Sequence, residues 1–349
     1  MVSIRFLAPL GFSLILACLT CIIYIQTSIN HTKKDCLQYL SRSDYSYFYK
    51  SSEQSELNNS SYESVEKGPA LLNVLNVVNS VVDKPCRRNT GILVQRLRDT
   101  QRQISSFFQS HVPNITERWE LLPQVFGAAM NGFRYALKPF KYYSQDEFKH
   151  FLEFSNPQAE CNTFTFGVGG SWEGEKALRR KYPQCRMTGV DPVEELSRDV
   201  VESDPQSRFI LAAVSDHGGN QNAHIKGANF AYAQKKKIPH RAFTELLMNE
   251  NEGRVIDFMT IDVEGAEFVL MKDLHRKRAE LPIICQFNVE IHYKSSRYGV
   301  TWEQFDRNLM EMFDEAHFIV LNVDQRTFKY RRLFMFNIGD DECIQKFLC

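Results

Sequence analysis

Between residues 163 and 338 short apolar runs alternate with amphipathic stretches, and this alternation limits the possible folds more than any other feature. The runs are TFTFGV (163–168), RMTGV (186–190), RFILAAV (208–214), VIDFMTI (255–261), IICQFNVEI (283–291), HFIVLNV (317–323) and RLFMFNI (332–338). Strand followed by helix, repeated, predicts an α/β fold: a mostly parallel, doubly wound sheet with helices on both faces. The last two runs lie too close together for a helix between them, so an antiparallel hairpin is expected at one edge. Thr301-Trp-Glu-Gln304 reads as a capping box, opening a helix with Trp302, Phe305, Leu309 and Met312 or Phe313 along one face. Ser144-Gln-Asp-Glu147 reads the same way, as the start of a helix over FKHFLEF.

The chain of 349 residues is long enough for about two domains and needs neither disulfides nor a metal to build a core. With 43% apolar and 24% charged residues it is neither disordered, collagenous nor a multispanning membrane protein. The 42 basic and 42 acidic side chains cancel, so the bulk positive field of a dedicated nucleic-acid binder is missing. Lys235-Lys-Lys237 is short and lacks interleaved aromatics; it reads as a solvated loop or the rim of an acceptor cleft.

No charged side chain occurs from Phe6 to Asn30. As a helix, the apolar segment 6–25 would reach about 30 Å, the thickness of a bilayer core. It is longer than the apolar run of a cleavable signal, which favours an uncleaved signal-anchor; cleavage near Thr27 and Ser28 is the alternative. Arg5 on one side and Lys33 and Lys34 on the other leave the orientation open. Four N-x-S/T tripeptides, at Asn30, Asn58, Asn59 and Asn114, favour residues 31–349 in the lumen or outside the cell. The expectation is a single-pass type II membrane glycoprotein of the secretory pathway, with its domain in the Golgi or endoplasmic reticulum, or secreted if cleaved. The organisation expected is a transmembrane segment (1–30), a flexible stem (31–69), a helical extension (70–119) and a main domain (120–349). Cys18 and Cys21 lie within the apolar segment. The other seven cysteines are expected to pair in part and to leave one over.

Three segments carry chemistry. In FTFGVGGSWEGEKALRRKY (164–182) a strand runs into Gly167, Gly169 and Gly170 and then a helix. This arrangement lets a ligand approach the backbone at a helix N-terminus. Asp191 follows 24 residues after Gly167, at the end of the next strand, where a Rossmann unit holds ribose hydroxyls. Trp172 stands where the dinucleotide fingerprint needs its third glycine, which disfavours NAD or FAD and better suits a nucleoside without pyrophosphate. In VIDFMTIDVEGAEFVLMKDL (255–274) Asp262, Glu264 and Glu267 cluster at a strand's carboxyl end. A ligand site and an acid-rich helix N-terminus account for them equally well. In QFNVEIHY (286–293) period-two alternation places Asn288, Glu290 and His292 on one face of a strand.

FGVGGSWE, GVDP, AAVSDHGG (212–219), TIDVEGAE and FNVEIHY, in this order, resemble the FkbM-type methyltransferases, most nearly a nematode-expanded, methyltransferase-like branch of secretory-pathway proteins. The resemblance covers about residues 120–343. It implies the Rossmann-like class I fold, a seven-stranded sheet with one antiparallel strand, and S-adenosyl-L-methionine as cofactor. Gly167, Gly169 and Gly170 would hold its methionine end, Asp191 its ribose and Asp216 its adenine side, with Asp262 beside the reaction centre. Many class I enzymes have an acid two residues before the first glycine. Here Thr165 stands there, so either Glu173 or Glu175 substitutes or cofactor affinity is weak.

The implied activity is O-methylation of a hydroxyl on a glycan or other small-molecule acceptor. His292, oriented by Glu290, is the expected general base and Asp262 the second choice. A divalent ion on Asp262, Glu290 and His292 would instead acidify the hydroxyl, but their spacing is not a specific metal motif and no metal is assigned. Two other classes stay open: a lumenal glycosyltransferase, for which Asp262-Val-Glu264 is only a near match to a D-x-D motif, and a non-catalytic glycoprotein that keeps the fold. Partners beyond the acceptor and the membrane, and the oligomeric state, are not legible.

Overall fold

A computed structural model describes residues 90–137, 139–144, 147–223, 225, 236–293, 299–324 and 329–349. They belong to one compact unit, Ala70–Cys349. The elements in order are α1 (Thr90–His111), α2 (Ile115–Met130), β1 (Pro139–Ser144), β2 (Glu147–Leu152), β3 (Asn162–Phe166), α3 (Glu173–Lys181), β4 (Arg186–Asp191), α4 (Glu194–Glu202), β5 (Ser207–Leu211), β6 (Ala213–Ser215), β7 (Gly219–Ala223), β8 (Lys236–Ala242), α5 (Phe243–Glu250), β9 (Phe258–Ile261), α6 (Glu267–Arg276), β10 (Gln286–His292), α7 (Trp302–Glu315), β11 (Phe318–Asp324), β12 (Tyr330–Asn337) and α8 (Asp341–Leu348).

Each of the seven apolar runs contributes a strand to one sheet, ordered β11-β12-β10-β9-β3-β4-β5. The strands β10, β9, β3, β4 and β5 pair in parallel, and β12 runs antiparallel to both its neighbours. The strand order reverses between β3 and β9. From β3 the chain steps outward to β4 and β5, then returns to lay β9 and β10 on the other side. Open α/β sheets bind ligands outside the carboxyl ends of strands at such a switch point. A smaller sheet, β6-β8-β7, follows β5. Phe164, Phe166, Phe258 and Phe287 are buried in the core, as expected of strands covered on both faces.

The capping box predicted at Thr301 is present. The Thr301 hydroxyl accepts the Gln304 N–H (3.2 Å), and the Gln304 side chain accepts the Thr301 N–H (2.9 Å). The one predicted at Ser144 is not, because residues 147–152 form strand β2, paired with β1. The far side of β2 is held by two amides of β10 acting as a substitute strand. Gln286 binds the N–H and C=O of Leu152 (2.7 and 3.2 Å), and Asn288 binds those of His150 (3.1 and 2.8 Å). Extended backbone satisfied on both sides outweighs a four-residue helix-start signal. Gln101 of α1 plays the same part at the sheet's edge: it donates to the Phe318 carbonyl and accepts the Val320 N–H, both at 2.7 Å. It thereby closes β11, the kind of edge that otherwise invites a further strand.

Two disulfides sit at the amino-terminal edge of the sheet, away from the switch point. Cys161–Cys185 ties the residues just before β3 and β4, and Cys285–Cys343 ties the start of β10 to α8. Among the described residues Cys349 is exposed and takes no part in a disulfide; its Sγ lies 3.7 Å from Thr90 Oγ1.

The membrane placement expected from the sequence is not upheld. Among the described residues no helix is long and apolar enough to cross a bilayer. The segment 6–25, the stem, residues 70–82, Cys36, Cys86 and three of the tripeptides lie outside the described residues. The fourth, Asn114, serves the fold: its side chain caps α2 by accepting the Glu117 N–H (3.1 Å).

Candidate functional site

The loop after β3 packs directly on the end of β9. Gly167 has φ +83°, and a Cβ built there would lie 1.7 Å from the carbonyl oxygen of Asp262. Only glycine lets these two strand ends approach so closely. Gly169 (φ +60°) and Gly170 (φ +80°) continue the left-handed turn. At Gly169 a Cβ would meet nothing within 4 Å, so the loop presents bare backbone to open space. Trp172, at the missing third glycine, is buried and lies over Gly189 of β4, where a Cβ would come within 3.2 Å of its ring. The close helix–strand approach is kept by moving the small residue from the helix to the strand.

Asp191 reaches this loop, as the sequence suggests. One carboxylate oxygen accepts the N–H groups of Val168 and Gly169, both at 2.9 Å, and the other accepts that of Val193 at 2.7 Å. Burial raises its carboxyl above the ordinary range against the pull of these donors. In this state Asp191 shapes the loop. Glu175 packs against Thr165: it is 3% exposed, and its Oε1 accepts the Thr165 hydroxyl at 2.8 Å and lies 3.4 Å from Lys149 Nζ. Glu173 is exposed and pairs with Lys176. Asp216 binds Lys272 Nζ (3.0 Å) and His217 Nδ1 (2.7 Å). Burial pushes its carboxyl up, but those two partners outweigh this and hold it below the usual range.

On the other side of the switch point, Asp262, Glu290 and His292 converge: one ligand-type atom from each lies within 4.8 Å of the others. The expected pairing of His292 is corrected. Its Nδ1 bonds Oε1 of the fully buried Glu267 at 2.9 Å, whereas Glu290 Oε1 stands 3.6 Å from Nε2. The other oxygen of Glu290, Oε2, accepts from Arg332 Nε at 2.6 Å. Glu267 is itself fixed, with Oε1 accepting the Val263 N–H and Oε2 the Gly265 N–H. Glu264, at φ +54°, turns back so that its Oε2 stands 3.3 Å from His292 Nε2. Burial disfavours charge on His292, but the bond to Glu267 and the charges of Glu267, Asp262 and Glu264 prevail and push its pKa up to about 10. With no cation bound, these carboxylates hold His292 in its protonated form at neutral pH, and in that state the imidazole is a poor base.

The sign of this shift sets a pH dependence. A group whose pKa rises on folding adds stability that is complete below its unfolded value, about 6.5. That stability is lost as pH climbs through about 10. In metal-free protein the His292 ring resonances are expected to stay put from pH 6 to 8, and His292→Gln should remove the decline in stability on the alkaline side. A ring that titrates near its ordinary value would contradict the pairing with Glu267.

S-adenosylmethionine fits this setting. The turn offers a backbone cradle with room above Gly169, and the acids at the neighbouring strand ends suit a positively charged donor. The family described as methyltransferase FkbM domain matches residues 106–330. No curated relative matches the chain in sequence. Among solved structures it is similar to fibrillarin of Aeropyrum pernix with natively bound S-adenosyl-L-methionine (12% identity, 52% of this chain and 68% of that one, TM-score 0.30). It is also similar to the Methanococcus jannaschii fibrillarin pre-rRNA processing protein (8% identity, 59% and 85%, TM-score 0.32). A third is the plantazolicin methyltransferase BpumL in complex with SAH (8% identity, 71% and 98%, TM-score 0.29). At these scores the likeness adds nothing to the strand order, which by itself locates the switch point.

Proposed function

The chain belongs to the methyltransferase FkbM domain family of S-adenosylmethionine-dependent enzymes, and on that premise we propose that it methylates a hydroxyl oxygen of a small acceptor. The observation that carries the reading is the seating of Gly167 on the Asp262 carbonyl, which joins the cofactor turn to the acid-lined strand end. When bound, S-adenosylmethionine supplies a methyl group already activated on a sulfonium. Gly167, Gly169 and Gly170 would hold its methionine end and Asp191 its ribose.

The chain itself contributes alignment and proton removal. The residues at the strand ends would hold the acceptor hydroxyl in line with that methyl group, and a carboxylate of this chain would take up the hydroxyl proton. We assign that role to Asp262, which stands beside the glycine turn. His292, locked by Glu267, is a positioning residue for Asp262 and Glu264. The glycan acceptor rested on the membrane placement and falls with it.

Asp262→Asn is expected to lower turnover about 10²- to 10⁴-fold while S-adenosylhomocysteine still binds within a few-fold of wild type. Methyl transfer from labelled cofactor to a panel of hydroxyl acceptors, with calorimetry for binding, checks both. Undiminished turnover would remove Asp262 from the mechanism. Preferential binding of a nucleoside diphosphate would favour the glycosyltransferase class instead.

A further inference from the structure

A hydrogen-bonded proton explains the surroundings of His292 only in part. With Nδ1 committed to Glu267, Nε2 is turned toward Glu264 Oε2 at 3.3 Å and Glu290 Oε1 at 3.6 Å, and one ligand-type atom each of Asp262, Glu290 and His292 lies within 4.8 Å of the others. A charge-assisted N–H···O bond closes to about 2.7–2.9 Å and points at one acceptor. Here two carboxylates face one ring nitrogen at longer range, and a third, Asp262, stands in the same group. A single cation can serve all of them at once, whereas one N–H cannot. The support behind the ring has the form found at metal-bound histidines, in which a carboxylate binds the remote nitrogen and fixes the tautomer. Glu267 does this while fully buried and held by two backbone N–H groups. Arg332 likewise fixes one oxygen of Glu290 and leaves Oε1 facing the group.

We infer that Asp262, Glu290 and His292 form a binding site for one divalent cation of the Mn²⁺ or Mg²⁺ class, with Glu264 alongside. Oxygen-rich sets with one imidazole suit such ions. Ligand bonds of about 2.1–2.3 Å span up to about 4.5 Å between opposite ligands, so the triad closes on an ion with shifts of a few tenths of an ångström. The role of the ion rests on the methyl-transfer reading. At the carboxyl ends of β9 and β10 it polarises the acceptor hydroxyl and lowers its pKa; with Asp262 then engaged as a ligand, the proton leaves to Glu264, the carboxylate outside the triad.

Full-length protein freed of metal by EDTA and then titrated with Mn²⁺ at neutral pH tests the site, with free Mn²⁺ read by electron paramagnetic resonance. One ion per chain is expected, with affinity about 10- to 100-fold weaker in Glu290→Gln. Asp262→Asn should act alike, and circular dichroism on each variant shows which remain folded. No saturable binding below ~1 mM, or binding unchanged in both folded variants, overturns the site and leaves the proton on Nε2 as the occupant. S-adenosylhomocysteine calorimetry on the same EDTA-treated protein keeps the two readings apart. Cofactor binding without Mn²⁺ binding overturns the cation alone, whereas Mn²⁺ bound at the triad without cofactor affinity supports the cation and overturns methyl transfer.

Discussion

Gly167→Ala should cost more than about 3 kcal/mol of stability and abolish S-adenosylhomocysteine binding. The added Cβ would stand 1.7 Å from the Asp262 carbonyl oxygen and 2.8 Å from its carbon. Those atoms are backbone at the end of β9, a central strand paired on both sides, and cannot swing aside. The backbone at Gly167 is also in the left-handed region that L-residues avoid. Gly169→Ala is the informative companion. Its Cβ meets nothing, so only the left-handed penalty of about 1–2 kcal/mol applies. The methyl group nevertheless enters the open face of the turn, and cofactor binding should fall. Thermal melting with calorimetry separates the two. A Gly167→Ala protein that melts like wild type would mean the turn and β9 are not in contact.

The second large effect is expected at the opposite edge of the sheet. Cys285–Cys343 closes a loop with a sequence separation of 58 residues, and Cys161–Cys185 one of 24. Chain-entropy estimates give about 4 and about 3.5 kcal/mol respectively. The first also anchors α8, which is otherwise held by Lys346 on the buried Asp257 (2.5 Å) and by the packing of Phe347 on Phe154 and Phe258. Cys285→Ala with Cys343→Ala should lower the urea midpoint by the equivalent of about 2–4 kcal/mol, and dithiothreitol should do the same to wild type. Both bridges lie at the amino-terminal ends of strands, so cofactor affinity of the folded fraction should hold. An unmoved midpoint would show that the bridge does not form.

The strands and the glycine turn are legible because their signals are local: apolar runs, a glycine cluster, and an acid at the next strand end. What escapes the sequence depends on register and on distant partners. Arg332 meets Glu290 because the two residues face each other across the β10–β12 ladder, which no spacing between residues 290 and 332 announces. Glu267 rather than Glu290 holds His292 because the left-handed backbone at Glu264 and Gly265 folds the start of α6 back onto β10. In sequence Glu267 is one of three strand-end carboxylates, with no sign of which one the imidazole chooses. Strand β2 reads as a helix because a capping box is judged over four residues, whereas its extended state is decided by amides 134 and 138 positions away. The His292 charge state follows from the same gathering of distant groups.

Strand β10 carries Gln286, Asn288, Glu290 and His292 on one side at every second position. The first two clasp the hairpin, and the last two belong to the cluster at the strand's carboxyl end. Slippage of this strand by a single residue would turn all four to the opposite side together. Misalignment here therefore has no mild form: the hairpin would come loose and the chemistry would vanish in the same step.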